Sequence, residues 1–180
     1  WVPSDLEPFA EYWVYPERLT KEAFDGYEYW LANVSVPFVY DGARQTPKIL
    51  EFAQQAKSLG IDVKIAIIVR DQNINQLQQL RVRKQHTTPM AQEYYYNVLI
   101  PSEFPVHFLD HEAFFLHKQH YIAWIGRVIG FPVETDPVKL MKFISEDANH
   151  KYVKYIKEHW LDEVILAGCK PNRDRRLGDK

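Results

Sequence analysis

Residues 63–69 read Val-Lys-Ile-Ala-Ile-Ile-Val, an almost continuous apolar run that ends at Arg70. Such a run suits a parallel strand covered on both faces, because a strand with one solvated face alternates instead. The preceding residues narrow the choice. Residues 35–40 (Ser-Val-Pro-Phe-Val-Tyr) form a short β-type run and residues 41–45 (Asp-Gly-Ala-Arg-Gln) a loop. Thr46 is a good helix N-cap, and Pro47 takes the first helical position, where its missing N–H costs nothing. Ile49, Leu50, Phe52, Ala53, Ala56 and Leu59 share one face at helical spacing, and Gly60 supplies a left-handed stop. Strand, loop, helix and strand within residues 35–70 predict a right-handed β-α-β crossover.

The flanking segments extend this unit into an α/β fold: a mixed sheet opening with the β-α-β unit, then an antiparallel hairpin and a long C-terminal helix. Residues 1–34 are expected to be an aromatic and Pro-rich arm followed by a helix, both packed on the domain. Thr20 caps that helix, which runs to about Asn33 with a weak point at Gly26. Residues 35–168 form the core domain. Within it, residues 71–93 are polar, with an exposed helix on Ile74, Leu77 and Leu80 broken at Pro89. Residues 94–100 are a strand candidate. Residues 106–116 and 121–129 read as a hairpin about His117 to His120, setting Leu116 against Tyr121, Phe114 against Ala123 and Asp110 against Arg127. Asp136-Pro137 opens a helix that bends near residues 148–150 and stops at Gly168. Residues 169–180 form a flexible basic tail.

Composition limits the class of protein. The 180 residues suit one domain with a sizeable core, and 46% hydrophobic with 26% charged residues is ordinary for a globular chain. Aromatics are frequent (11 Tyr, 10 Phe and 5 Trp), which points to core and interface packing. A formal net charge of −2 gives no pull toward nucleic acid or an anionic membrane, so nucleic acid is not expected as the main partner. The single cysteine, Cys169, cannot form an internal disulfide, which favours a reducing, cytoplasmic compartment, although a removed signal peptide is also compatible. No apolar stretch approaches the ~20 residues of a transmembrane helix.

Three groups of residues could carry chemistry. The first is the mouth of the β-α-β unit. Ligands of open α/β sheets bind beyond the carboxyl ends of parallel strands, which would bring Asp41, Gly42 and Arg44 near Arg70 and Asp71. With the helix N-terminus at Thr46, these six residues suggest a small anionic ligand. Surface ion pairs and an ordinary cap are the bland alternative. The second is His107, Asp110, His111 and Glu112, with His117 and His120 nearby, all types able to bind metal or move protons. Strand alternation would put His107 and His111 on one face and Asp110 and Glu112 on the other, so an ion pair of Asp110 with Arg127 is the plainer reading. The third is the basic set Arg81, Arg83, Lys84, Lys170, Arg173, Arg175 and Arg176, best explained as solvated faces. There is no Gly-x-Ser-x-Gly nucleophile motif and no Gly-rich phosphate loop.

Ile100-Pro-Ser-Glu-Phe-Pro-Val-His-Phe-Leu-Asp110, then Glu112-Ala-Phe-Phe-Leu, and the closing Phe131-Pro-Val-Glu-Thr-Asp-Pro before a long helix reaching Trp160 resemble the second half of a degenerate phospholipase D-like domain. The resemblance spans residues 35–166. Active members of that superfamily carry His-x-Lys followed four residues later by Asp, the His attacking phosphorus and the Lys holding phosphate oxygens. This chain has no His-x-Lys: His117 and His150 are each followed directly by Lys. The resemblance therefore implies a copy without that chemistry.

These observations lead to the expectation of a non-catalytic binding or regulatory domain, a module of a larger protein that senses a ligand or docks a partner. Its partner is expected to be another protein or an attached domain, and a homodimer fits equally. No catalytic residue, cofactor or metal is assigned. The competing expectation is a phosphodiesterase or nuclease-type hydrolase using His107, Asp110, His111 and Glu112.

Overall fold

A computed structural model describes residues 7–144. The arm opens with three short 3₁₀ turns at Glu11–Trp13, Pro16–Arg18 and Lys21–Phe24. They place Phe9, Trp13 and Leu19 in a buried cluster with Phe38, Phe52 and Ala56. The helix expected over residues 20–33 is only the turn Lys21–Phe24. Asp25 leaves helical geometry, Gly26 takes φ +91°, and residues 29–35 run on without regular structure. Aromatic packing explains the break: Trp30 turns back to stack edge-on against Phe9, and its indole N–H donates to the Phe24 carbonyl at 3.0 Å.

The β-α-β unit expected over residues 35–70 does not form. Strand β1 (Phe38–Tyr40) pairs antiparallel with β2 (Ala43–Gln45), and the two make a separate two-stranded sheet. Asp41 and Gly42 form the turn between them, with φ of 49° and 70°. Two consecutive positive φ values match the right-handed twist of a tight hairpin, and Asp-Gly is a favoured sequence for them. Helix α1 (Ile49–Ser58) begins at Lys48 as N-cap, not at Thr46. The Ile49 N–H donates instead to the Tyr94 hydroxyl at 3.0 Å. At the other end Gly60 has the expected left-handed φ, +86°.

Strand β3 (Ile65–Val69) is parallel, as its composition predicts, but it is not covered on both faces: Ile65 and Ile67 are buried while Ala66 and Ile68 are exposed. Its partner is β4 (Val106–Asp110), Ile65 standing beside Val106 and Val69 beside Asp110. The crossover is helical. Helix α2 (Gln72–Arg83) is followed by α3 (Thr88–Tyr94), which widens into a π turn at Tyr95–Leu99. The strand expected at residues 94–100 is thus a helix end. Tyr94, Tyr95, Val98 and Leu99 all face the cluster of Ala53, Ile65, Ile67 and Phe104, a spacing that only a helix provides. Helix α1 joins the two clusters, with Phe52 and Ala56 in the first and Ala53 in the second.

The expected hairpin of residues 106–129 is also replaced by helices. β4 stops at Asp110, whose carboxylate caps α4 (His111–His117) by accepting the Ala113 N–H at 2.6 Å. Lys118, at φ 49°, separates α4 from α5 (Gln119–Ile129). Asp110 therefore meets its own helix instead of Arg127, and the other cross-strand pairs do not form. Gly126 permits the chain to return across α5: a Cβ there would lie 2.9 Å from Val133 Cγ2. Helix α6 (Pro137–Ile144) starts where Asp136-Pro137 predicts, Asp136 accepting the Val138 N–H at 2.8 Å. Its expected continuation to Gly168, the basic tail and Cys169 lie outside the described residues, as do residues 1–6. No helix among the described residues is long and apolar enough to cross a membrane.

Candidate functional site

The carboxyl ends of β3 and β4 are built alike. An aspartate at or just past the end of each strand, Asp71 after β3 and Asp110 closing β4, caps the following helix. Asp71 accepts from the Asn73 and Ile74 N–H groups at 3.0 and 3.1 Å, and Asp110 accepts from Ala113. Each of these bonds satisfies helix N–H groups that have no partner within the helix. The two junctions touch, because the Asp71 N–H donates to Glu112 Oε2 at 3.2 Å. The Asp110 N–H donates to the Tyr121 hydroxyl at 2.7 Å, which folds α5 back onto the same edge.

This edge unites halves of two sequence-predicted sites. Arg70 and Asp71 come together with Asp110, His111 and Glu112. His107 lies back along β4, beside Ala66. His111 Nδ1 is 3.9 Å from the carboxylate of Glu112. Arg70 donates to Gln78 Oε1 at 2.6 Å. His117 and His120 are exposed on α4 and α5. Among the described residues, no three His, Cys, Asp or Glu side chains are arranged to hold a metal ion.

The other half of the predicted mouth is elsewhere. Asp41 and Gly42 are the exposed hairpin turn, and Thr46 is exposed without capping α1. Arg44 lines a cleft of about 210 Å³ together with Trp13, Asn33, Val34, Ser35 and Phe38. Arg70 opens into a different and larger groove of about 690 Å³. Residues 33–35 and Trp13 border both cavities, so this stretch of irregular chain separates the two arginines.

The larger groove is assembled from segments that no sequence motif links. Residues 61–70 line one side without interruption, and residues 30–36 line another. Phe52, Ala53, Ala56 and Leu99 belong to its apolar lining, and α2 contributes Gln72, Asn75, Gln78 and Gln79. Asp62, Lys64 and Arg70 are its charged members among the described residues. Asn75, Gln78 and Gln79 are tied into place. Gln79 Oε1 accepts from the Thr87 N–H at 2.7 Å, the Thr88 N–H at 3.1 Å and the Thr88 hydroxyl at 3.0 Å, and Gln79 donates to Asn75 at 3.3 Å. A signal for this wall was present: positions 72, 75 and 79 are Gln, Asn and Gln at helical spacing.

Large apolar side chains stay exposed along the groove. Leu31 is 83% exposed, Ile68 and Tyr96 67% each, and Phe108 47%. Apolar side chains scattered singly on a surface are ordinary, whereas these four border one concavity. No protein-family profile, curated protein or solved structure matches this chain.

Proposed function

We propose that this chain is a non-catalytic binding domain whose ligand lies in the groove beside β3. The observation that carries the reading is that Leu31, Ile68, Tyr96 and Phe108, all exposed, border one groove with an apolar lining and a wall of amide side chains. Binding sites are concave and mainly apolar, with a few polar groups that fix orientation, and this groove has that make-up. The acidic groups at the neighbouring strand ends already serve the fold: Asp71 and Asp110 cap helices and Glu112 ties the two junctions together. The resemblance to degenerate phospholipase D-like domains implies a non-catalytic role too and belongs to the same proposal.

Trp13 and Trp30 line the groove and report on its occupancy. The test is intrinsic fluorescence and thermal shift on the whole chain with short peptides, aromatic carboxylates and inorganic phosphate as probes. One probe class is expected to raise the melting temperature, with Phe108→Ser abolishing the response and Arg44→Ala preserving it. If phosphate alone responds and Arg44→Ala removes that response, the site is the smaller cleft and this reading fails.

A further inference from the structure

The backbone of β3 specifies what the groove can hold. The Ile65 N–H donates to the Pro105 carbonyl at 3.0 Å, which sets the parity of the strand. Ile65, Ile67 and Val69 direct their N–H and C=O groups to β4, and the intervening Ala66 and Ile68 direct theirs to the opposite edge. β4 is the only strand beside β3 among the described residues, and no described group bonds the peptides of Ala66 and Ile68. That edge borders the groove, since every residue from Ile61 to Arg70 lines it.

From this we infer that the groove takes an extended peptide segment of a partner protein, added as a strand along the free edge of β3, with apolar residues at every second position. The inference rests on the reading of the groove as a binding site and names its ligand class. Unpaired donors and acceptors recurring every second residue, about 7 Å apart, match the repeat of another extended chain. Side chains on one face of the added strand would join Ile65 and Ile67, which pack on Ala53 and Leu99, so that face selects apolar residues. Side chains on the other face would lie level with exposed Ile68. The five residues of β3 span about 17 Å, enough for a short strand. Asp62, Lys64 and Arg70 mark the ends of the edge with charge, a common guard against indiscriminate strand pairing.

The experiment uses the whole 180-residue chain. A phage-displayed random library of peptides of about ten residues is selected on it. The selected peptides are synthesised, and residue-resolved amide exchange is followed with and without each peptide. The expected result is peptides with alternating apolar residues that slow exchange at Ala66 and Ile68. Ile68→Pro removes an edge-facing donor while sparing the β4 ladder, a position where proline is tolerated. It is expected to weaken peptide binding about tenfold. If the variant does not fold, exchange on the unaltered chain decides. Peptides that change Trp30 fluorescence without protecting Ala66 and Ile68 would overturn strand addition and leave the binding groove standing. Recovery of no peptide, while an aromatic carboxylate shifts the melting temperature, would do the same. Slow exchange at both amides before any peptide is added would show the edge already covered by this chain or a second copy, and would overturn the partner peptide.

Discussion

The two sheets among the described residues solve the same problem in opposite ways. β1 and β2 are joined by Asp41-Gly42, need no distant residue to find each other, and place Phe38 in the aromatic cluster. β3 and β4 are parallel, so they can meet only after a crossover of two helices and a π turn has been built. The hairpin is local, exposed at its turn and walled by the arm. The parallel pair is non-local, packs Ile65 and Ile67 on one face, and leaves Ile68 67% exposed beside a groove. The difference teaches where to look for function: the β3 sequence is more apolar than its described surroundings account for.

Substitutions can break this comparison at several points. Helix α1 serves both halves, so Phe52→Ala is expected to cost about 3–5 kcal/mol and to loosen hairpin and parallel pair together, measured by chemical denaturation. Loss of the hairpin alone would show the halves to be independent. Leu99→Ala is expected to cost about 2–5 kcal/mol and to act first on β3–β4, since Leu99 is 1% exposed against Ile65 and Ile67. Asp71→Ala and Asp110→Ala should each cost about 1 kcal/mol through loss of a cap, with Asn at either position restoring most of it. A far larger loss at one of them would break the likeness of the two strand ends. The smallest effect expected is at Tyr94. Burial raises its pKa above the ordinary tyrosine value, outweighing the Leu50 and Ile49 N–H groups that face its hydroxyl. A group whose folded-state pKa is raised contributes stability that is whole below the ordinary value near 10 and is lost as pH rises through the folded value. The chain should therefore lose stability above about pH 10, and less steeply in Tyr94→Phe, as followed by melting temperature against pH.

Much of the secondary structure was legible in local chemistry. The apolar face of α1, the stop at Gly60, the parallel strand over residues 65–69 and the helix start at Asp136-Pro137 all follow from rules that act within a few residues. Structure departs from expectation where two local signals compete. Asp41-Gly42 forms a hairpin turn, but Thr46-Pro47 just after it signals a helix start, and the two signals compete for residues 43–45, which form β2. The aromatic and β-branched residues over 94–100 and 111–129 favour strands on propensity. Burial at helical spacing prevails at Leu99, and the Asp110 cap starts α4 in place of a hairpin. The candidate site was half legible for a related reason. Sequence alone sets Arg70 and Asp71 at the end of a parallel strand, but the neighbouring strand it suggests is residues 35–40, which brings in Arg44; the strand actually beside them is β4, which brings in Glu112. Which strand lies beside which is a property of long-range packing, and no residue near Val69 records it.

The functional reading turns on one edge of β3, which faces the groove with its peptide groups unpaired among the described residues. Residue-resolved amide exchange on the unliganded whole chain tests it directly, because neighbouring amides on one strand serve as each other's controls. The account predicts slow exchange at Ile65, Ile67 and Val69 and fast exchange at Ala66 and Ile68. Uniformly slow exchange along all five residues would contradict it.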